Sequence, residues 1–261
     1  MRLHMYQVDA FTDKLFHGNP AAVCPLDRWI PAELMQKIAM ENNLAETAFY
    51  VPGPERHEIR WFTPAVEVDL CGHATLASAF VLFNFGGFQG SVAEFDSRSG
   101  LLSVRRDGDL LTLDFPADSP SAVDAPELLV RALGAQPLEA YKGKTDYLLV
   151  FGEQREIEAM TPDFGSLAKV HARGIIVTAP GKEVDFVSRF FAPEVGVSED
   201  PVTGSAHTTL TPYWSKRLAK TNLTAMQLSK RQGWLWCSLH GDRVKISGHA
   251  RAYLEGWIEV E

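Results

Sequence analysis

Two stretches of the chain carry no charge, and each begins at a glycine. Residues 73–83 follow Gly72 and residues 205–215 follow Gly204, without an Asp, Glu, Lys or Arg in either. A helix with no charged face has no side to offer to water, so both are predicted to be buried all round. Ahead of each lies an apolar run closed by a proline, Trp61-Phe62 before Pro64 and Phe190-Phe191 before Pro193, which reads as a strand followed by a turn. Pro212 is expected to bend or shorten the second helix, because it has no N–H and its ring crowds the preceding turn.

Other segments alternate as strands do. Residues 2–11, 47–51, 101–105 and 110–115 read as strands in the first half, and residues 147–151, 175–178, 226–229 and 244–247 in the second. Asp107-Gly108-Asp109 is a hairpin signal between two of them. Residues 31–41, with apolar residues at Leu34, Ile38 and Met40 and Pro31 suited to the first turn, read as a surface helix. Strands and helices do not alternate strictly, so the expected class is α+β.

The two glycine-led helices belong to a repeat. Arg60-Trp-Phe-Thr-Pro-Ala-Val-Glu-Val68 and Arg189-Phe-Phe-Ala-Pro-Glu-Val-Gly-Val197 share Arg, Phe, Pro, Val and Val in register, at an offset of 129 (189 − 60). Gly72-His73-Ala74 and Gly204-Ser205-Ala206 follow at an offset of 132 (204 − 72), so the second copy carries three extra residues. A period this long marks two duplicated halves. The predicted architecture is two similar halves, each a curved sheet wrapped around a central buried helix. The polar stretch Asp118-Ser119-Pro120-Ser121 places the boundary, giving halves at 1–117 and 118–249, with a final strand over about 250–261 returning to the first.

Composition narrows the function. The formal net charge of −8 over 261 residues argues against a nucleic-acid surface. It also means that an anionic ligand is not steered in by the overall field and needs local donors. The three cysteines, Cys24, Cys71 and Cys237, form no CxxC, and no signal-peptide core opens the chain. The longest uncharged stretch, residues 70–92, is broken by Asn84, Gly86, Gly87 and Gln89, which suits a buried helix and not a membrane span. A cytoplasmic setting follows. GxGxxG, P-loop, HExxH and GxSxG motifs are absent and the eight histidines lack metal-ligand spacing, so no cofactor and no metal are expected.

Candidate chemistry gathers at the two helix starts. Unpaired first-turn N–H groups and the helix dipole make such a start an anion site, and two of them facing one cleft would hold a carboxylate. Taken singly, the glycines are ordinary packing or capping residues. Near them stand His73, Asp200, Ser205 and His207. Asp200 before Pro201 also fits a plain turn, Ser205 a helix cap, and His73 a core histidine. Glu46 lies between apolar Leu44 and Phe49 at a strand start. Partial desolvation would suit its carboxyl to proton transfer, and a solvent-facing strand glutamate is the plain alternative.

Asn43-Leu44-Ala45-Glu46-Thr47, Asp69-Leu70-Cys71-Gly72-His73-Ala74-Thr75 and Glu199-Asp200-Pro201-Val202-Thr203-Gly204-Ser205-Ala206 resemble the three signature segments of the phenazine-biosynthesis PhzF family. The openings Asp9-Ala10-Phe11 and Gly18-Asn19-Pro20-Ala21 resemble its start. The resemblance covers nearly the whole chain. It implies the diaminopimelate epimerase-like fold, a homodimer, and a cofactor-independent isomerase of a small anionic carboxylate. It also implies Glu46 as the catalytic acid/base, with His73, Asp200 and Ser205 supporting it. Gly72 and Gly204 would start the helices that hold the substrate carboxylate. Ala45 departs from the family pattern, where many members have serine. The related epimerases use two cysteines. Cys71 matches the first position and Thr203 the second, and a threonine hydroxyl cannot replace a thiol without an activating partner. Cys71 is then a lining residue, and proton transfer by one glutamate is favoured over a two-base epimerase or racemase. A Ser205–His73–Asp200 hydrolase triad and a non-catalytic binding protein on the same fold are the readings from other classes.

Overall fold

The computed structural model describes all 261 residues, which divide into two units: Met1–Asp114 with Ser247–Glu261, and Phe115–Ile246. The first unit contains β1 (Arg2–Ala10), β2 (Asn19–Pro25), α1 (Ala32–Asn42), β3 (Glu46–Val51), β4 (His57–Phe62), β5 (Glu67–Val68), α2 (Gly72–Asn84), β6 (Val92–Ser97), β7 (Gly100–Asp107) and β8 (Leu110–Pro116). β1 and β2 are antiparallel, β2 and β3 parallel, β3 and β4 antiparallel, β4 and β6 parallel, and β6 and β7 antiparallel, while β5 folds back on β4. The hairpin between β7 and β8 turns at Gly108, whose φ of +58° is the conformation that only glycine adopts cheaply.

The second unit contains β9 (Ser121–Ala122), α3 (Glu127–Leu133), β10 (Glu139–Lys142), β11 (Asp146–Val150), α4 (Gln154–Ala159), α5 (Phe164–Leu167), β12 (Gly174–Pro180), β13 (Phe186–Ala192), β14 (Val197–Asp200), α6 (Gly204–Leu218), β15 (Asn222–Gln227), β16 (Gly233–His240) and β17 (Arg243–Gly248). Its pairing repeats the first unit strand for strand. β10 and β11 are antiparallel, β11 and β12 parallel, β12 and β13 antiparallel, β13 and β15 parallel, β15 and β16 antiparallel, and β14 folds back on β13. The last strand, β18 (Ala250–Glu259), belongs to the first unit and lies antiparallel to β1. The fold is α+β, two similar halves in which a sheet surrounds one helix. α2 packs on β1, β2, β3, β7 and β18, and α6 on β11, β15 and β16.

The repeated arginine has the same task in both units. Arg60 on β4 makes a bidentate pair with Glu67 on β5 at 2.7 and 2.9 Å, and Arg189 on β13 makes one with Glu199 on β14 at 2.7 and 3.0 Å. Such a two-pronged bond fixes the short return strand that leads into each central helix. The pairing also relocates the three extra residues. Val68 lies opposite Trp61, and Asp200 opposite Phe190, so Asp200 is the counterpart of Val68 at an offset of 132 (200 − 68). The insertion therefore falls in the turn and bulge ahead of Asp200, and the match of Val68 with Val197 in the sequence repeat is coincidental.

Both central helices bury polar side chains by turning them back on the backbone. In α2 the hydroxyls of Thr75 and Ser78 donate to the carbonyls of Cys71 and Ala74. Residues 73–79 of α2 are all buried. α6 is mostly buried to Ser215, with Ser205, Thr208, Pro212 and Tyr213 half-buried, and ends with exposed Lys216, Arg217 and Leu218, since its last turn runs beyond the uncharged stretch. Pro212 does not shorten α6, which continues six residues past it to Leu218 (218 − 212). The proline removes the N–H that would bond the carbonyl of Thr208, and the N–H of Asp118 takes that acceptor at 3.1 Å. Thr209 adds a hydroxyl bond of 3.0 Å to the Asp118 carboxylate, so the predicted boundary segment is docked on the helix at its proline.

The outer faces carry the remaining helices. Met35, Ile38 and Ala39 of α1 pack with Cys24, Phe49 and Phe62. The buried face of α1 thus includes Met35 and not Met40, which is 59% exposed. In the second unit Leu129, Leu133, Ile157 and Leu167 from α3, α4 and α5 cover Leu149, Val177, Val187 and Phe191 of the sheet. β15 begins earlier than its predicted 226–229 span and stops at Gln227, because the Ser229 hydroxyl accepts from the N–H groups of Arg231 and Gln232 and turns the chain. No helix is long and apolar enough to cross a membrane.

Candidate functional site

In the first unit three neighbouring starts of structure meet. Asn19 is the first residue of β2, Glu46 the first of β3, and Cys71 the residue before α2. Gly18, at φ +65°, lets the chain enter β2 so close to β1 that a side-chain carbon there would lie 2.1 Å from the Ala10 carbonyl oxygen. The preceding loop is tied by buried Asp9, whose carboxylate accepts the Phe16 N–H at 2.8 Å.

His73 stands between the other three. Its Nε2 is 3.2 Å from Glu46 Oε2, and its Nδ1 is 3.3 Å from the Asn19 side-chain nitrogen and 3.5 Å from Cys71 Sγ. Burial pushes the imidazole down to about 3, so it is neutral at physiological pH. With the Asn19 amide donating to Nδ1, the one ring proton sits on Nε2, on the side of Glu46. Glu46 is therefore no solvent-facing strand glutamate: its side chain is 19% exposed, and its Oε2 lies 3.2 Å from His73 Nε2, in contact with the ring but outside hydrogen-bond geometry.

Glu46, Cys71 and His73 also bring three metal-ligating atoms within 4.8 Å of one another. The set does not suit one ion. Cys71 sits at Nδ1 and Glu46 at Nε2, and the lone pairs of these two ring atoms diverge, so a single cation takes one side of the imidazole or the other.

The second unit assembles a different group from the equivalent elements. Asp200 ends β14, and its carboxylate accepts the hydroxyl of Thr203, the residue before α6. Gln227, fully buried on β15, clamps this turn by accepting the Thr203 N–H at 2.8 Å and donating to the Asp200 carbonyl at 2.8 Å. Ser205 is not the helix cap. It lies inside the first turn of α6, and its Oγ accepts a 3.0 Å bond from Arg173 Nη1. Arg173 is in turn held by buried Asp146 through Nε at 2.9 Å and through Nη2. His207 donates from Nδ1 to the Thr203 carbonyl at 2.9 Å, closing the same turn from inside, and burial holds it down to about 4. The partners found for Ser205, His73 and Asp200 are Arg173, then Glu46 with Asn19, then Thr203, and none of these is the relay of a hydrolase triad.

The family model for phenazine biosynthesis-like proteins matches residues 8–256. The chain belongs to that family. Among its relatives, an uncharacterized isomerase of Pseudomonas aeruginosa is 55% identical over 261 residues, covering all of both chains. A crystal structure of a PhzF-family phenazine biosynthesis protein from Enterococcus faecalis superposes with a TM-score of 0.97 at 46% identity over the whole of both chains. A hydroxyproline epimerase of Agrobacterium vitis shares the fold, with a TM-score of 0.63 at 10% identity over 98% of this chain and 92% of that one.

Asn19, Asp146, Arg173 and Gln227 escaped the reading of the sequence as site partners. Gln227 had a usable signal, since it occupies the same strand parity as buried Leu223 and Ala225. Arg173 lies in an unpatterned loop, and only the folded backbone brings it to Asp146 and Ser205.

The two neutral histidines make a measurable difference to stability. Both fold with pKa values below the ordinary 6.5, so the unfolded chain binds protons there that the native chain does not. Their contribution is complete above about pH 6.5 and is lost on acidification toward 4. The unfolding free energy from urea titration is expected to fall, and the midpoint with it, between pH 6.5 and about 5, by up to roughly 1.4 kcal/mol per pH unit for each histidine. A midpoint that stays level across this window overturns the assignment of both rings as neutral.

Proposed function

We propose that the protein is an isomerase of a small carboxylate, working without a cofactor by proton transfer through Glu46. The observation that carries this reading is the Glu46 carboxylate set against the neutral, buried His73 at the start of α2. In the proposed reaction Glu46 takes a proton from a carbon next to a π-system conjugated with, or adjacent to, the substrate carboxylate. The electron pair left behind spreads over that system. The proton returns from Glu46 to a different carbon, so that no atom is gained or lost. His73 packs against the carboxylate, with Nε2 3.2 Å from Oε2, and, being neutral, does not cancel its charge. Asp200, Ser205, Gly72 and Gly204 are the supporting and carboxylate-holding residues that family membership implies, and Cys71 lines the His73 side.

The repeat itself favours one proton carrier. Arg60 pairs with Phe49, and its counterpart Arg189 with Val177, which makes Gly174 the counterpart of Glu46. A side-chain carbon at Gly174 would lie 2.1 Å from the buried Phe190 ring, so the second unit has no room for an acid there. The counterpart of Cys71 is Thr203, whose hydroxyl is committed to Asp200. A pair of matching acid/bases is thus missing at both repeated positions, which disfavours the two-base epimerase. The relative named as an isomerase supports the same reaction class.

The test uses a panel of allylic carboxylates, each deuterated at the position that migrates, followed in ordinary water by NMR. Isomer formation with part of the deuterium at the new carbon is expected. Inversion of one stereocentre with solvent hydrogen incorporated from the opposite face, and no double-bond shift, would sink the single-carrier isomerase.

A further inference from the structure

The far end of α2 borders a cleft of about 160 Å³ that is lined by residues of the first unit alone. It lies at Asn84, eleven residues (84 − 73) beyond His73, or about 16 Å along the helix axis. The cleft is therefore no part of the Glu46–His73 group. Phe80, Leu111 and Ala250 form its apolar wall, and Arg106 of β7 and Arg251 of β18 line it with charge. Its sides are tied together. His249 Nδ1 donates to the Asp109 carbonyl at 3.1 Å, and the His249 carbonyl accepts the Thr12 N–H at 3.1 Å.

Both arginines are held by carbonyls and not by acids. Arg106 donates from Nη1 to the Phe83 carbonyl at 3.4 Å, with its guanidinium 4.7 Å from the centre of the buried Phe83 ring. Arg251 donates from Nε to the Asp13 carbonyl at 3.0 Å. Neither guanidinium is paired with a carboxylate. Each of the two bonds uses one of five N–H groups, so most of the donors of both side chains are uncommitted. Arg106 also offsets the partial negative charge at the end of α2, which accounts for its place there. Arg251 has no such duty. Counting the lining residues with histidine neutral, two positive charges stand against the one exposed carboxylate of Asp109, a balance of +1 (2 − 1) in a chain of net charge −8. Two like charges facing one concavity repel, and an anion bound between them relieves that repulsion.

We propose that this cleft is a second binding site, for a small organic anion: one negative charge held by Arg106 and Arg251, carried on a flat apolar group the size of a single ring that packs against Phe80. The size follows from the volume, since an apolar cavity of about 150 Å³ takes up one benzene molecule. The single charge follows from the balance of +1, because a second negative charge would have to be accommodated beside Asp109. The site is separate from the proposed isomerisation and requires nothing of Glu46.

The experiment is an NMR titration of the full-length, ¹⁵N-labelled protein with benzoate, benzyl alcohol, acetate and phenyl phosphate in turn. Benzoate is expected to shift the amides of Asn84, Gly108 and Ala250. Benzyl alcohol has the ring without the charge and acetate the charge without the ring, so each is expected to bind there at least tenfold more weakly. Phenyl phosphate, with its second charge, is expected to bind no more tightly than benzoate. Arg251→Gln removes an exposed cation and is expected to weaken benzoate at these amides about tenfold, while Arg251→Lys keeps most of the affinity. Arg106→Gln is the second variant, with the same expected loss, should Arg251→Gln fail to fold by its own spectrum. Benzoate shifts absent from residues 84, 108 and 250, equal binding of benzoate and either fragment, tighter binding of phenyl phosphate, or wild-type affinity in a folded glutamine variant would each overturn the proposal. Binding at the start of α2 is read separately, from the amides of Gly72, His73 and Ala74, so the outcome there and the outcome here are distinguishable.

Discussion

Glu46→Gln is expected to fold as the wild type does, to bind a carboxylate ligand about equally well, and to lose turnover by about 10²–10⁴-fold, the usual contribution of a positioned proton-transfer group. Glutamine has nearly the same shape, and its side-chain oxygen can keep the present position, 3.2 Å from His73 Nε2. It cannot take up and release a proton at neutral pH. The loss should therefore appear in kcat with KM little changed, the pattern of an interaction made only in the transition state. The measurement is steady-state kinetics on the first substrate found, with thermal melting of both proteins as the control. Wild-type kcat in a folded Glu46→Gln protein would end the case for Glu46.

The second large effect is structural. Arg189 is 11% exposed and makes four bonds: two to Glu199, and two to the carbonyls of Ile157 and Met160 at 3.0 and 2.7 Å. It thereby ties β13 to β14 and to the end of α4. Arg189→Ala removes the cation and leaves Glu199, 18% exposed, without its partner. Breaking a largely buried pair from one side costs about 3–5 kcal/mol, mostly because the remaining charge has lost its compensation. For a unit of this size that corresponds to a melting point lower by roughly 10 °C. Glu199 is followed directly by Asp200, so the turn that Gln227 clamps should loosen as well. Differential scanning calorimetry gives the first effect, and amide exchange at Thr203 and Gly204 the second. A shift under about 2 °C would mean that Glu199 is well solvated once its partner is removed.

The reach of sequence reading differs between elements for physical reasons. The uncharged runs after Gly72 and Gly204 announced α2 and α6 because a helix with no polar face has only one kind of place to go. The repeat was visible because Arg60 and Arg189 make the same bidentate bond, and a residue bound at two points tolerates no substitute of different shape. The insertion was misplaced by the same reading, since Val197 matched Val68 by composition while strand pairing moved the counterpart to Asp200. The helix α1 was placed but its buried side was not, because Leu34, Ile38 and Met40 alone leave the phase of the helix open until the sheet beneath it is known. β2, β5, β6, β9, β10, β14 and β16 passed unrecognised as strands: β5, β9, β10 and β14 are only two to four residues long, and β2 and β16 are mostly apolar on both faces, so no alternation marks them.

At the candidate site, the residue types and their order along the chain already named Glu46, Cys71, Gly72, His73, Asp200, Gly204 and Ser205, together with the family. Those depend on local spacing and on motifs, which a linear chain carries in full. The state of each group was decided only by tertiary contacts: His73 neutral through burial, Thr203 donating to Asp200, Ser205 accepting from Arg173. Protonation and hydrogen-bond direction follow from burial and from which atoms lie within about 3 Å. Asn19 is 54 residues from His73, and Arg173 is 32 from Ser205 and 27 from Asp146, distances along the chain that no local pattern spans.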